Sequence, residues 1–581
     1  MARPFLCDKD ETLMSSLLEI SNVEIDFHTR RELVHAVQGI SLSLDRGDVL
    51  GIVGESGSGK SVTALSIMQL LPSPPAIIKE GSIHFYQQDK AEPTDLLQLQ
   101  KNEIQQIRGK KIAMIFQEPM TSLNPVFTCG SQVAEMLMLH KKLKTAEAKY
   151  QTLELFNKVG LPDPNRIYKS YPHQLSGGQK QRVMIAMAIS CEPDLLIADE
   201  PTTALDVTVQ KTILDLLLKL KDKSGLSMIF ISHDLGVIAE ICNKVVVMHN
   251  GKVVEHGEVK QVLNSAEHPY TKGLLACRPT LNQKFKRLPT IGDYLEKESV
   301  KADVISKKEI EVRNHALADQ APILKVENLL VRYPSRKNWF GKTLEWLHAV
   351  DSVSFDVYPG ETFGLAGESG CGKTSLGRAI ARLTQAHSGT IRYEENSLLE
   401  LSEDAFKPFR KEIQVVFQDP YSSLNPRMTV GEAILEPMKV HNLYENKSER
   451  YEKTIELLQT VGLEADHFKR YPHEFSGGQR QRICIARALS LDPKFLICDE
   501  MVSALDVSVQ ATILNLLMDL QDQYGLTYLF ISHDLSVIKQ MCDRLMVMNN
   551  GKVEVLGVVE EVFDAPPTPY VRRLIDSIPE I

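Results

Sequence analysis

The sequence predicts an α/β protein in which one module occurs twice, each copy a mixed, largely parallel sheet core with an antiparallel β subdomain and a helical subdomain. Three observations predict it. The octet Gly54-Glu55-Ser56-Gly57-Ser58-Gly59-Lys60-Ser61 returns as Gly367-Glu368-Ser369-Gly370-Cys371-Gly372-Lys373-Thr374. Each octet follows an apolar run, Val49 to Val53 or Thr362 to Ala366, that reads as a buried strand, and each precedes an apolar-periodic helix. Further on, Ser176 and Ser476, Glu200 and Glu500, Asp206 and Asp506, and His233 and His533 all stand 300 residues apart, the mark of an internal duplication.

The first module opens at Leu17 with alternating residues. Val23, Ile25 and Phe27 fall on one strand face opposite Glu24 and Asp26, as expected of an antiparallel layer with one wet side. The second module opens likewise through Leu324, Val326 and Tyr333. Each octet fits G-x-x-x-x-G-K-[ST], a loop whose glycines let the backbone wrap around phosphate oxygens. Its N–H groups and the following helix N-terminus favour negative charge, and Lys60 or Lys373 adds a point charge. The Ser61 or Thr374 hydroxyl is placed for Mg²⁺, so both loops are expected to bind nucleotide.

Lys60 and Lys373 are 313 apart, whereas Gln117 and Gln418 are 301 apart. The extra length of the first module therefore lies within Leu71 to Leu99, which carries Pro72, Pro74, Pro75 and Pro93 and reads as a surface insertion. From Pro125 to Leu175 the pattern is helical, ending at Leu175-Ser176-Gly177-Gly178-Gln179 and, in the second copy, Phe475-Ser476-Gly477-Gly478-Gln479. Asp194 to Asp199 then forms an apolar run ending in a carboxylate, a central parallel strand, and Met228 to Ser232 forms another ending at His233. Loop, acid and histidine all sit at C-terminal strand ends, where doubly wound sheets bind ligands. The chain divides into an extension over 1–16, modules over 17–276 and 322–581, and a linker over 277–321. The linker sets nine basic against seven acidic residues and reads as a solvated tether with some helix.

The 581 residues are too many for one core. No apolar run reaches the roughly 18 residues of a membrane span, and Asp8, Lys9, Asp10 and Glu11 interrupt any signal-peptide core. A cytosolic location follows as an expectation, with other chains crossing any membrane involved. Nine scattered cysteines without a C-x-x-C pair argue against zinc, iron–sulfur and disulfide frameworks. A net charge of -9 without a basic stripe disfavours nucleic acid.

With the glycine octets and the Ser-Gly-Gly-Gln segments together, the chain resembles an ATP-binding-cassette (ABC) ATPase with two fused cassettes, two tandem phosphate-loop NTPase domains, over about residues 17 to 575. The resemblance implies ATP and Mg²⁺ as cofactors. It makes Asp199 and Asp499 the Mg²⁺-associated acids, with Gln117 and Gln418 approaching the same ion, and Glu200 and Glu500 the carboxylates that polarise the attacking water. His233 and His533 would contact the γ-phosphate, and Phe27 and Tyr333 would stack on adenine, with core packing the rival reading for Phe27. The donors of Ser176-Gly177-Gly178-Gln179 would serve the ATP held by the second copy, and those of Ser476-Gly477-Gly478-Gln479 the ATP held by the first. Two hydrolytic sites, an intramolecular cassette pair rather than a homodimer, are therefore expected.

Three residues depart from symmetry. Met501 stands where Pro201 follows the first glutamate, Phe475 replaces Leu175, and Cys371 replaces Ser58, either as a redox-sensitive thiol or as a small residue. Within the family the likeness is to importers of di- and oligopeptides and related compounds. It is carried by Ser122-Leu123-Asn124-Pro125, Ser423-Leu424-Asn425-Pro426 and His268-Pro269-Tyr270-Thr271, echoed at Thr568-Pro569-Tyr570. It implies two integral-membrane permease partners docked near Thr121 to Pro125 and Ser422 to Pro426, indirectly an extracytoplasmic binding protein, and a peripheral place on the cytoplasmic face of the bacterial inner membrane. Cys277 stands alone, so no iron–sulfur centre is expected. The alternatives are a soluble twin-cassette factor on ribosomes or nucleic acid, and a DNA-repair cassette ATPase, which zinc-type cysteine pairs would mark.

Overall fold

A computed structural model describes residues 16–29, 33–87, 90, 92–117, 122–203, 206–296, 303–337 and 343–578. Residues 1–15 of the extension, residues 118–121 including Thr121 of the predicted docking segment, and linker residues 297–302 lie outside the described residues.

In the first half, strands Leu33–Asp45, Ser16–His28, Ala76–Phe85 and Thr94–Asp95 form an antiparallel layer in that spatial order. A six-stranded sheet runs Lys252–Glu258, Lys244–His249, Val49–Val53, Ser227–Ile231, Leu195–Asp199, Ile112–Ile115. Every pairing in it is parallel except that of the edge strand Lys252–Glu258. Val49–Val53, Leu195–Asp199 and Ser227–Ile231 are buried at every position, which is why they read as unbroken apolar runs instead of alternating. The second half repeats both sheets, with Thr362–Ala366 between Thr527–Ile531 and Arg544–Asn549, and Phe495–Asp499 beside Thr527–Ile531.

The helical subdomain of the first half comprises Cys129–His140, Thr145–Lys158 and Pro164–Lys169. It hands over to helix Gly177–Ile189, where the Ser176 hydroxyl accepts from the Gln179 N–H and the Gln179 side chain returns to the Ser176 N–H, a capping box. Ser476 and Gln479 do the same at Gly477–Leu489.

Three expectations need correction. Asp26 does not face water: it is 2% exposed, pairs with His35 Nδ1 at 2.8 Å and also holds Lys79. A register shift between Ile25 and Asp26 breaks the alternation and turns both inward. The extra length near Pro72 to Pro93 is not all surface loop, because part of it lengthens strand Ala76–Phe85, which pairs as far as Phe27 with Ala76, whereas its counterpart is only Ser388–Tyr393.

The linker is not a solvated tether. Phe285, Leu288 and Ile291 are buried, and helices Ile291–Glu296 and Lys307–Ala318 follow. The Gln540 amide accepts from Phe285 N–H at 3.0 Å and donates to Phe285 O at 2.7 Å, and Asn515 treats Leu288 the same way at 2.8 Å for each bond. Arg313 Nε reaches Asp543 Oδ1 at 2.6 Å. Phe285 and Leu288, their backbone groups matched by buried amides, dock the segment on the second half, while Ile291 packs against Gly273 of the first, a pattern that a tally of charges misses.

Candidate functional site

The octets form tight loops because their glycines take left-handed backbone: φ is 152°, 82° and 99° at Gly54, Gly57 and Gly59. A Cβ on Gly54 would lie 2.2 Å from Met248 O, and one on Gly372 only 1.9 Å from Ala349 O, so no other residue fits there. The buried Lys60 amine donates to Gly54 O at 2.6 Å and Glu55 O at 2.9 Å, and Lys373 repeats this with Gly367 O and Glu368 O at 2.8 and 3.0 Å. The first residue after each lysine touches the strand-end acid: Ser61 Oγ donates to Asp199 Oδ1 at 3.1 Å, Thr374 Oγ1 to Asp499 Oδ1 at 2.9 Å.

Glu200 and Glu500, one residue past those strands, hold left-handed backbone with φ of 48° and 47°, a conformation that costs a non-glycine residue of order 1–3 kcal/mol and clusters at functional sites. Glu200 Oε2 accepts from Gln117 Nε2 at 2.8 Å and Thr203 Oγ1 at 2.9 Å, and lies 3.4 Å from His233 Nδ1. In the second half Gln418 Nε2 donates to Glu500 Oε2 at 3.1 Å, His533 Nδ1 lies 3.4 Å from it, and Lys373 Nζ is 3.5 Å from Glu500 Oε1. Ser503 differs from Thr203, donating to Glu500 O instead of the carboxylate.

Neighbouring carboxyls are thus driven apart. Burial raises Asp199 to about 6, outweighing its Ser61 bond. Burial also pushes Glu200 up, but His233, Thr203 and Lys60 together outweigh it and hold Glu200 at about 2. His233 is raised because Glu200 outweighs its desolvation. Two adjacent acids in unlike surroundings carry unlike protons, which suits them to unlike roles.

The two halves meet at these sites. Ser56 N–H donates to Asp506 Oδ2 at 2.9 Å, and the Asp506 carboxylate gathers with Glu200 and His233 within 4.8 Å. A cavity of about 310 Å³ beside Lys373, Thr374, Gln418, Glu500 and His533 is lined from the first half by Asp206. Tyr333 lines this cavity and its hydroxyl lies 3.3 Å from Ser375 Oγ, while Phe27 is half-buried against the first half's core. Asp206 and Asp506 were legible only as a repeated pair six residues past each glutamate; Thr208 and Ser508, which also cross, carried no signal. The serines of the Ser-Gly-Gly-Gln segments cap their own helices, and a Cβ on Gly178 or Gly478 would press on Val209 or Val509 of the same half.

Cys371 is no activated thiol. Burial pushes it up against the opposing charge of Lys373, overruling the helix N-terminus. Met501 and Phe475 are buried, Phe475 edge-on to His467.

The family described as ABC transporter matches residues 37–203 and 350–503, and the oligopeptide/dipeptide transporter C-terminal region matches residues 254–300. The chain is 45% identical over 564 residues to the glutathione import ATP-binding protein GsiA of Pectobacterium atrosepticum, covering 97% of this chain and 89% of the relative. It is 45% identical over 575 residues to GsiA of Escherichia coli strain K12, covering 98% and 90%. A solved dimeric bacterial ABC transporter cassette, MJ0796, is 28% identical, covering 42% of this chain and 99% of that one with a TM-score of 0.37. The chain belongs to the ABC transporter family, as an ATPase that carries two cassettes in one polypeptide with the oligopeptide/dipeptide transporter region between them.

Proposed function

We propose that this protein is the energy-coupling subunit of a membrane importer for small peptide-type solutes, hydrolysing ATP at two sites formed between its halves. The observation that carries the reading is the duplicated constellation of phosphate-loop lysine, strand-end acid pair, glutamine and histidine, each closed by an aspartate of the opposite half. The GsiA relatives are named for the import of glutathione, a tripeptide, which agrees with that solute class.

Lys60 and Lys373 place positive charge where the β- and γ-phosphates lie, and the octets' N–H groups cradle the remainder. Glu200, held ionised by His233, Thr203 and Lys60 against its burial, orients and polarises the attacking water. His233, its charge favoured by Glu200, faces the phosphate being transferred. Mg²⁺ fits the hydroxyl of Ser61 and the carboxylate of Asp199, and Thr374 with Asp499, because these are adjacent hard oxygen donors. When bound, the ion neutralises phosphate charge. Ser176 to Gln179 and Ser476 to Gln479 complete the opposite half's ATP site as the halves close.

Exposed apolar residues on the helical subdomains support docking on two permease subunits at the cytoplasmic face: Val126 and Phe127 are 70% and 55% exposed, and Tyr421 stands out similarly. No described helix is long and apolar enough to cross a membrane. Affinity purification of the tagged protein from membranes tests the reading. Two multi-span proteins and ATP hydrolysis stimulated by them are expected; recovery of ribosomes or RNA with no membrane protein would favour the soluble alternative.

A further inference from the structure

The tyrosines that identify the peptide-transporter segments have no part in the reading above, yet both touch a phosphate loop. Tyr270 is fully buried in helix Pro269–Ala276, and its hydroxyl accepts from Glu55 N–H at 3.0 Å. Tyr570, in Pro569–Ile575, accepts from Glu368 N–H at 3.3 Å. Glu55 and Glu368 are the second residues of the two octets, and each uses all three of its polar groups in a different place. The backbone N–H goes to the tyrosine. The carbonyl takes the lysine amine, Lys60 on Glu55 O and Lys373 on Glu368 O. The carboxylate crosses to the other half, where Ser508 Oγ donates to Glu55 Oε1 at 2.5 Å and Thr208 Oγ1 to Glu368 Oε1 at 3.0 Å.

We propose that Tyr270–Glu55–Ser508 and Tyr570–Glu368–Thr208 are two positioning relays that set the phosphate-loop lysine according to whether the opposite half is in contact. The inference rests on ATP occupying these loops. The peptide plane carrying the Lys60 acceptor follows directly on the N–H anchored by Tyr270, and the side chain on the same residue is the one the other half holds. Approach of Ser508 therefore acts on the same few atoms that fix the lysine. A hydroxyl bonding a carboxylate is a charge-assisted bond, as is the Lys60 ammonium's bond to Glu55 O, so the two strong bonds of Glu55 are the crossing link and the lysine it would set. Neither tyrosine touches the reacting atoms, so both are positioning residues. The first relay is the more enclosed: the Tyr270 ring packs on His249 with centroids 4.1 Å apart, where the second half has Asn549 and instead lays Arg573 over Tyr570.

Steady-state ATPase measurements on the full chain test this. Tyr270→Phe is expected to raise the KM for ATP at least fivefold while kcat falls less than twofold, with the unfolding midpoint unchanged. Glu55→Ala, Ser508→Ala and the double variant are expected to lower the Hill coefficient for ATP equally, since each removes the same crossing bond. Should Tyr270→Phe fail to fold, the Glu55 and Ser508 set decides alone. Additive losses in the double variant, or an unchanged KM and Hill coefficient throughout, overturn the relay while leaving hydrolysis intact. Absence of hydrolysis in the unmodified chain overturns the functional reading itself.

Discussion

Gln117 Nε2 donates to Glu200 Oε2 at 2.8 Å, so the residue at the edge of the helical subdomain holds the carboxylate proposed to polarise the attacking water. Substituting Gln117→Glu sets two carboxylates at that distance, and one must take up a proton. The unmodified enzyme, with Glu200 at about 2, is expected to show no acid limb from this group above pH 4 or so. The variant is expected to show one, read from kcat against pH, and a superimposable profile would separate Gln117 from the catalytic acid.

Glu200→Gln and Glu500→Gln keep the shape of each site and remove its charge. Each is expected to bind ATP as before, and the double variant to lose about 10²–10⁴-fold in phosphate release. Equilibrium nucleotide binding alongside single-turnover hydrolysis separates the two effects.

The buried carboxyl of Glu361 gives a pH signature to the second half. Burial raises it from 4.5 to about 7, against the lowering effect of Arg544 at 3.2 Å and the Tyr358 N–H at 2.7 Å. The folded state binds this proton more tightly than the unfolded chain, so its stabilisation is complete below about pH 4.5 and is lost as pH rises through 7. Glu361→Gln is expected to flatten the unfolding midpoint between pH 5 and 8, a difference on the order of a few kcal/mol.

Asn515→Ala and Gln540→Ala each strip two hydrogen bonds from buried linker peptide groups, and each is expected to cost about 2–4 kcal/mol by leaving those groups unsatisfied. Limited proteolysis near Phe285 and Leu288 should accelerate in both, and a cleavage rate equal to that of the unmodified protein would show the docking to be dispensable.

Brief treatment with iodoacetamide at pH 7 is expected to leave ATPase activity intact, because Cys371 is buried and its thiol is held protonated. Rapid loss of activity that Cys371→Ser prevents would contradict this.

What could be read in the sequence was what is local in it. The octets, the acids after apolar runs and the histidines each announce themselves within a few residues, because glycine conformations and strand-end carboxylates are short-range requirements. Asp26 escaped because a bulge reverses the alternation that placed it outside. Ser508 and its bond to Glu55 escaped because a hydroxyl whose partner lies 453 residues away leaves no pattern around itself. The linker escaped for the same reason, since its acceptors and donors belong to Asn515 and Gln540.

The docked linker also sets an order of assembly. Phe285 and Leu288 leave the ribosome 255 and 227 residues before the side chains that receive their backbone groups. The first half can fold as it emerges, N-terminal domain first, but its trailing strand of chain must wait in water until the second half is nearly complete. The last stretch of synthesis therefore closes both the second cassette and the seam that joins it to the first.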